Sequence, residues 1–428
     1  MKAIGLDIGT TSICGLLMDC ESGEAERIVS RSNDAWIRSA QPWERIQKPA
    51  AIRDKVLEIL EELAGPETGA VGITGQMHGI LYLDAQGSPV SPLYTWQDGR
   101  GNLPCGGGTY AARLRAHSGY GNVTHLYNRE NGLVPEDAAV FCTIHDYMAM
   151  VLTGRRRPLV HSSDGASFGG YDLAEKRFVW TDPLQPELTD STVTAGTWRG
   201  IPVAVAIGDN QASFLGGGCG RDTVLVNVGT GSQVSFMTDR IQAGPGLEVR
   251  PLSDGRMIMA GSSLCGGRAY ALLEQFFRQT AAMAGCPAES LYGAMADAAD
   301  TRRDTDLEFC TLFCGTREEP ERRAAVTGLS PENFTPADLI CGCLRGIGSE
   351  LLDLYRAGGR ACTRLVGTGN GIRKNSALRR TLEALFGMEM QTPRFCEEAA
   401  AGAALFAMTA SGRCANLEEA ERIVRYDI

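Results

Sequence analysis

The sequence predicts an α/β fold in two halves, and three observations carry that reading. An apolar run breaks into a small, hydroxyl-rich turn at Leu6-Asp7-Ile8-Gly9-Thr10-Thr11-Ser12. The same pattern returns at Val226-Asn227-Val228-Gly229-Thr230-Gly231-Ser232. Around both, strand-like runs alternate with helical patterns, as in sheets covered on both faces. Glycine lets backbone approach an anion closely, and hydroxyls with N–H groups can then hold it. Two such turns suit two half-molecules serving one polyphosphate, which makes phosphoryl transfer the first chemistry to test.

The elements follow in order. Lys2–Ile8 reads as a buried strand, and Ile13–Met18 returns as its hairpin partner. Ile52, Val56, Ile59, Leu60 and Leu63 recur at helical spacing. Ala70–Ile73 is a short strand that runs into Gly75-Gln76-Met77-His78-Gly79, and Leu81–Asp84 is another strand. The stretch 101–108 is glycine-rich and reads as a loop or lid. Pro202–Ile207 is a strand ending in Gly208-Asp209-Asn210. The boundary between halves is placed near Arg221, giving domains 1–221 and 222–428. Val224–Val228 is the strand that feeds the second turn. Ala337–Arg356 is a long helix, Leu365-Val366 a strand, and Leu378, Leu382, Leu385 and Phe386 mark a further helix. Ala399–Met408 is alanine- and glycine-rich, which suits a helix lying close against other backbone.

Composition narrows the function. The 428 residues carry a formal net charge of -10, which argues against a nucleic-acid partner. No apolar run is long enough for a membrane span and no leader is visible, so no membrane partner is expected. Fourteen cysteines are scattered without a Cys-x-x-Cys pair, and the five histidines all lie between His78 and His161. This pattern suits the reducing cytoplasm rather than disulfides or a zinc site. The oligomeric state is left open, a homodimer being one option.

Each motif has a plain structural reading beside a chemical one. Asp7, at a strand end, is placed to hold Mg²⁺ directly or through water, with Thr10, Thr11 and Ser12 around a phosphate; otherwise this is a hairpin with a solvated acid. Gly229, Thr230, Gly231 and Ser232 form the second phosphate-type turn, or an ordinary glycine turn. Asp209 directly follows an apolar strand. A carboxylate there can accept the proton of an attacking hydroxyl, and Asp also fills a helix N-cap well; the two roles are compatible. Gln76, Met77 and His78, with Trp96 and Asp98 from Trp96-Gln97-Asp98-Gly99-Arg100, read as a polyol-binding wall of directional hydrogen bonds and one apolar face. Asp146 reads as a helix cap, outside the site. Gly367-Thr368-Gly369-Asn370-Gly371 with Asn375 forms a strand-to-helix junction where glycines leave room for a flat base. It is neither a Walker A loop nor a dinucleotide fingerprint.

Taken in order, Asp7-x-Gly9-Thr10, Gly75–Gly79, Gly208-Asp209, Gly229–Gly231 and Gly367–Gly371 resemble the motifs of the FGGY carbohydrate kinases over nearly the whole chain. Leu264-Cys265-Gly266-Gly267-Arg268-Ala269-Tyr270 and Val366–Asn375 are most similar to its sedoheptulokinase members. The resemblance implies two actin/hexokinase-like (ribonuclease H-like) domains with a cleft between them, ATP and Mg²⁺ as cofactors, and a ketose as substrate, sedoheptulose first, with xylulose, ribulose or gluconate as rivals. It implies Asp209 as catalytic base and Asp7 as metal ligand. Met77 and His78 would touch sugar. Thr10–Ser12, Gly229–Gly231, Gly367–Asn370 and Asn375 would hold ATP. A non-catalytic sugar sensor on the same fold is the alternative from another class.

Overall fold

A computed structural model describes residues 1–427 apart from 303, 317 and 318. Two compact units emerge. The first comprises Met1–Gly218, Arg250–Met257 and Glu397–Arg425. The second comprises Cys219–Val249, Ile258–Cys396 and the chain end from Tyr426.

The first unit is built on a seven-stranded sheet. β1 (Lys2–Ile8) and β2 (Ser12–Asp19) form an antiparallel hairpin, and β3 (Ala25–Ser32) extends it. α1 (Pro49–Leu63) starts with proline in its first turn and buries Ile52, Val56, Ile59, Leu60 and Leu63, the stripe its spacing predicts. β4 (Thr68–Gly75) then runs parallel to β1, with Asp7 beside Thr74 and Ile8 beside Gly75. α2 (Ile144–Thr153) opens with a capping box between Thr143 and Asp146, which bears out Asp146 as a cap. α3 (Ser162–Ser167) is a short turn of helix. β5 (Thr194–Trp198) and β6 (Ile201–Ala204) form a hairpin at the sheet edge.

The strand expected at Pro202–Ile207 is broken. Val203 pairs with Val71 in β6, whereas Ile207 pairs with Thr74 in β7 (Ile207–Gly208). Five residues on one strand (203–207) therefore span four on the other (71–74), and the surplus residue breaks the run. α4 (Asp209–Gly216) follows at once. The glycine-rich stretch expected as a loop or lid forms a small hairpin, Pro104–Cys105 against Gly108–Thr109, with Gly106 and Gly107 at φ 56° and 89° in its turn.

The alanine-rich helix Glu398–Ala410 belongs to this unit. Its backbone lies directly on the sheet. A Cβ at Gly5 would stand 1.7 Å from the Ala400 carbonyl, and one at Gly72 would stand 1.8 Å from that of Ala403. Gly216 and Gly402 make the same kind of approach between α4 and this helix. Small residues on both sides are what such contact requires.

The second unit repeats the core pattern. β8 (Thr223–Val228) and β9 (Ser232–Thr238) form an antiparallel hairpin, flanked by β10 (Leu247–Ser253) and β11 (Arg256–Ser263). α5 (Gly266–Met283) follows, then the long α6 (Pro336–Ala357). β12 (Arg364–Thr368) runs parallel to β8, with Asn227 beside Thr368. α7 (Ser376–Phe386) and β13 (Met390–Pro393) complete the layer. All fourteen cysteines are free thiols, and among the described residues no helix is long and apolar enough to cross a membrane.

Candidate active site

Three parallel strand ends define the first unit's site. β1, β4 and β7 are neighbours in register, so their carboxyl ends bring Asp7, the Gln76–His78 turn and Asp209 to one edge of the sheet. The Thr74 hydroxyl donates to the Ile207 carbonyl at 2.7 Å and ties β4 to β7 just before Asp209.

The turn after β1 is pinned from behind. Asn33 Nδ2 donates to the Gly9 carbonyl at 2.8 Å, Gln47 Nε2 to that of Thr10 at 2.9 Å, and Asn33 N–H to that of Thr11 at 2.8 Å. With its carbonyls tied inward, the turn offers the exposed side chains of Thr11 and Ser12 to the outside. The Thr10 hydroxyl accepts from Trp96 Nε1 at 2.9 Å and donates to Gln76 Oε1 at 3.4 Å. The expected phosphate turn and the expected sugar wall are thus joined by direct side-chain bonds.

The wall residues divide into two groups. His78 sits in the left-handed region at φ 73°, an unusual conformation for a non-glycine residue and one that clusters at functional sites. Its N–H donates to Ser167 Oγ at 3.1 Å, its Nδ1 donates to the Ser167 carbonyl at 2.8 Å, and its ring stacks on Tyr120 with centroids 4.2 Å apart. Trp96 keeps 47% of its surface exposed. Met77 is buried against Gly208, where a Cβ would meet its sulfur at 2.6 Å. Gln76 is buried and donates to Gln47 Oε1 at 2.9 Å. Asp98, expected on the sugar wall, lies in the scaffold instead. It is 1% exposed and accepts from Arg100 Nε at 2.7 Å and from the Arg45 N–H at 3.0 Å. Arg100 in turn pairs with Glu44 at 2.9 Å and lies over the Tyr94 ring at 4.2 Å. A charge this deeply buried needs a partner, and Asp98 supplies it.

Electrostatics single out the two acids at the edge. Burial, then the charges of Asp209 and Glu397, push Asp7 up to about 7. Burial pushes Asp209 up to about 6, with Arg250 and His145 pulling down and Asp164 pushing up. Buried carboxyls, one of them raised further by the charges of Asp209 and Glu397, form an oxygen-rich donor set that a hard divalent cation would relieve, so the residues fit Mg²⁺. Behind them, His145 Nε2 pairs with Asp164 at 3.0 Å; burial opposes its charge, but Asp164, Asp146 and Asp209 prevail and hold it up to about 9. His145, Asp164, Arg250 and Glu397 were not anticipated from sequence. No local motif marks His145, Asp164 or Arg250, and Glu397, legible only as the entry to the alanine-rich helix, acts on Asp7 across nearly four hundred positions of sequence.

In the second unit, the Gly229–Gly231 turn caps α5: Gly267 N–H donates to the Gly229 carbonyl at 2.9 Å and Arg268 N–H to that of Thr230 at 3.0 Å. The Thr230 side chain stays exposed. Asn227 Nδ2 donates to the buried Thr368 hydroxyl at 2.9 Å. The glycines after β12 have packing reasons. A Cβ at Gly369, φ 86°, would stand 2.6 Å from the Val228 carbonyl, one at Gly371 would meet the Val228 side chain and carbonyl at 2.7 Å, and one at Gly367 would meet Met390 sulfur at 2.2 Å. The Cβ slots of these glycines are thus filled from within the unit. These positions let the strand ends of β8 and β12 close on each other. Asn370 is exposed, and Asn375 caps α7 by accepting from the Leu378 N–H at 3.0 Å. A cavity of about 700 Å³ beside α6, lined by Ser262, Thr311, Arg345 and Glu350, takes in none of these nucleotide-type turns.

Two α/β units, each with a hydroxyl-bearing hairpin turn beside a parallel strand, make this an actin/hexokinase-like fold. Residues 2–106 match the N-terminal domain, and residues 224–411 the C-terminal domain, of the FGGY family of carbohydrate kinases, and the chain belongs to that family. It is 27% identical to sedoheptulokinase from Mus musculus, over 90% of this chain and 92% of that protein. It is also 27% identical to sedoheptulokinase from Homo sapiens, over 94% and 96%. The solved xylulose kinase from Rhodospirillum rubrum superposes with a TM-score of 0.84 at 21% identity, covering 100% of this chain and 93% of that one. The chain is a sugar phosphotransferase that uses ATP.

Proposed function

We propose that the protein transfers the γ-phosphate of ATP to the terminal primary hydroxyl of a ketose, with sedoheptulose, phosphorylated at O7, as the substrate. The carrying observation is the register of β1, β4 and β7, which sets Asp7, His78 and Asp209 on one sheet edge. The near full-length similarity to two sedoheptulokinases supports the choice of sugar.

Residues of 1–221 hold the sugar: His78, held by Ser167 and Tyr120, gives a directional contact, Met77 an apolar one, and the exposed Trp96 face covers the carbon chain. Asp98 acts behind them as the anchor of Arg100. Residues of 222–428 hold the nucleotide, through the Thr230 hydroxyl with the Gly229–Ser232 turn and through the exposed Asn370. Thr11 and Ser12 of the first turn meet the transferred phosphate. Asp7 would hold Mg²⁺, with the Glu397 carboxylate as a neighbouring oxygen donor. The ion, when bound, neutralises charge on the phosphate oxygens. Asp209 accepts the proton of the attacking hydroxyl. Phosphoryl transfer asks the protein chiefly for positioning and charge neutralisation, and these residues supply both. Fourteen free thiols suit a reducing compartment, the cytoplasm.

A coupled ADP-release assay across five- to seven-carbon ketoses tests the reading. The highest kcat/KM is expected with sedoheptulose. A higher value for xylulose or ribulose would reassign the substrate, and ATP binding without sugar-stimulated ADP release would point to a sensor.

A further inference from the structure

The short helix α3 touches both arms of the site. Ser163, 1% exposed, accepts the Gly208 N–H on its hydroxyl oxygen at 3.1 Å, one residue ahead of Asp209. Four positions on, Ser167 accepts the His78 N–H at 3.1 Å and His78 Nδ1 on its carbonyl at 2.8 Å. Between them, Asp164 pairs with His145 at 3.0 Å.

The Ser163 hydroxyl is itself held in one orientation. His161 is fully buried, and burial pulls it below its ordinary range, so it stays neutral. Its Nδ1 lies 2.9 Å from Ser163 Oγ and also accepts the Ser163 N–H at 3.2 Å, so Nδ1 is the acceptor. The hydroxyl proton of Ser163 therefore points at His161. Its lone pairs are left for Gly208. On the other His161 nitrogen, Nε2–H lies 3.3 Å from Ser253 Oγ, which completes the ordering.

Gly208 is clamped on three sides. Ser163 holds its N–H, the Thr74 hydroxyl holds the preceding carbonyl at 2.7 Å, and Met77 fills the space a Cβ would take. Ser163 and Thr74 therefore hold the two ends of one peptide group, Ile207–Gly208, the last before that of Asp209, Ser163 from its Gly208 side.

We propose that Ser163 is a positioning residue for Asp209: its hydroxyl, oriented by His161, sets the backbone from which the carboxylate reaches the sugar hydroxyl. This rests on Asp209 acting as the base. Displacements of about 1 Å in such a group can cost about a hundredfold in rate, so removing the anchor should be visible in kcat.

The test uses the full chain with saturating ATP. Ser163→Ala should lower kcat about tenfold and leave the sugar KM within about twofold. Ser162→Ala is the control: its hydroxyl donates to Asp190 at 2.7 Å, and its loss should leave kcat within about twofold. The decisive measurement is the pair in combination. If Ser163 acts through Asp209, adding Ser163→Ala to Asp209→Asn should cost little more than Asp209→Asn alone. An unchanged kcat for Ser163→Ala, an equal loss in Ser162→Ala, or a full additional loss on the Asp209→Asn background would overturn the proposal. Normal turnover by Asp209→Asn would instead remove the reading beneath it. Should the alanine variant fold poorly, Ser163→Cys repeats the test with an isosteric but weak acceptor, and the same outcomes decide.

Discussion

The two glycine turns share one framework and differ at one side chain. In the first unit, Asp7 lies beside Thr74 across a parallel pair; in the second, Asn227 lies beside Thr368 across the equivalent pair. Thr368 accepts the Asn227 amide at 2.9 Å, so the second unit spends its polar residue on closing β8 against β12. Thr74 gives its proton to Ile207 instead, and Asp7 feels the charges of Asp209 and Glu397. One strand end is neutral and satisfied within itself. The other buries carboxyls beside further negative charge, which a proton or a bound cation relieves. A small change of atom type, oxygen for nitrogen, separates a structural seam from a site that can take up charge.

The largest expected effect lies on the charged side. Asp209→Asn should lower kcat by about 10²–10⁴ while sugar binding, read by calorimetry, stays intact. Near-normal turnover would strip Asp209 of its role. Asp7→Asn makes the first turn resemble the second. It should cut turnover by about 10²-fold and raise the Mg²⁺ concentration needed for half-maximal rate, with sugar affinity unchanged; an equal loss of sugar affinity would contradict the assignment.

Acidity sharpens the contrast further. Because Asp7 and Asp209 are held up to about 7 and about 6, kcat/KM should fall by about tenfold or more per pH unit as the solution drops below them. Stability runs the other way. Both acids bind protons more readily folded than unfolded, so their contribution is fully present below the ordinary carboxylate range and is lost as pH rises to about 7. Without ligand, the thermal midpoint of Asp7→Asn should therefore gain on that of the wild type between pH 5 and pH 8. A constant difference would mean that Asp7 titrates normally. The smallest effect belongs to the neutral side: Asn227→Ala should cost about 1 kcal/mol of stability, a shift of a few degrees in Tm, with little change in Mg²⁺ dependence.

The framework of this comparison was legible in the sequence because it is local. An apolar run, a glycine turn and a returning run announce β1–β2 and β8–β9 without any distant partner. The cap at Asp146 was legible for the same reason. What was not legible depends on residues that meet only after folding. Asp98 carries the same motif whether it faces a sugar or Arg100, and only the burial of Arg100 decides. Gly369 and Gly371 read only as a glycine-rich turn in the sequence, and folding alone shows Val228 packed where their side chains would stand. Glu397 stands at the start of an alanine-rich helix, with nothing in the surrounding sequence to connect it to Asp7.

That helix has a consequence for how the protein is made. Gly5 and Gly72 leave slots that only the backbone around Ala400 and Ala403 fills. On the ribosome, the sheet bearing Asp7 and Asp209 emerges well before residues 398–410, and its last layer arrives only after the intervening second unit has been made. Its exposed face must be shielded from aggregation through that interval.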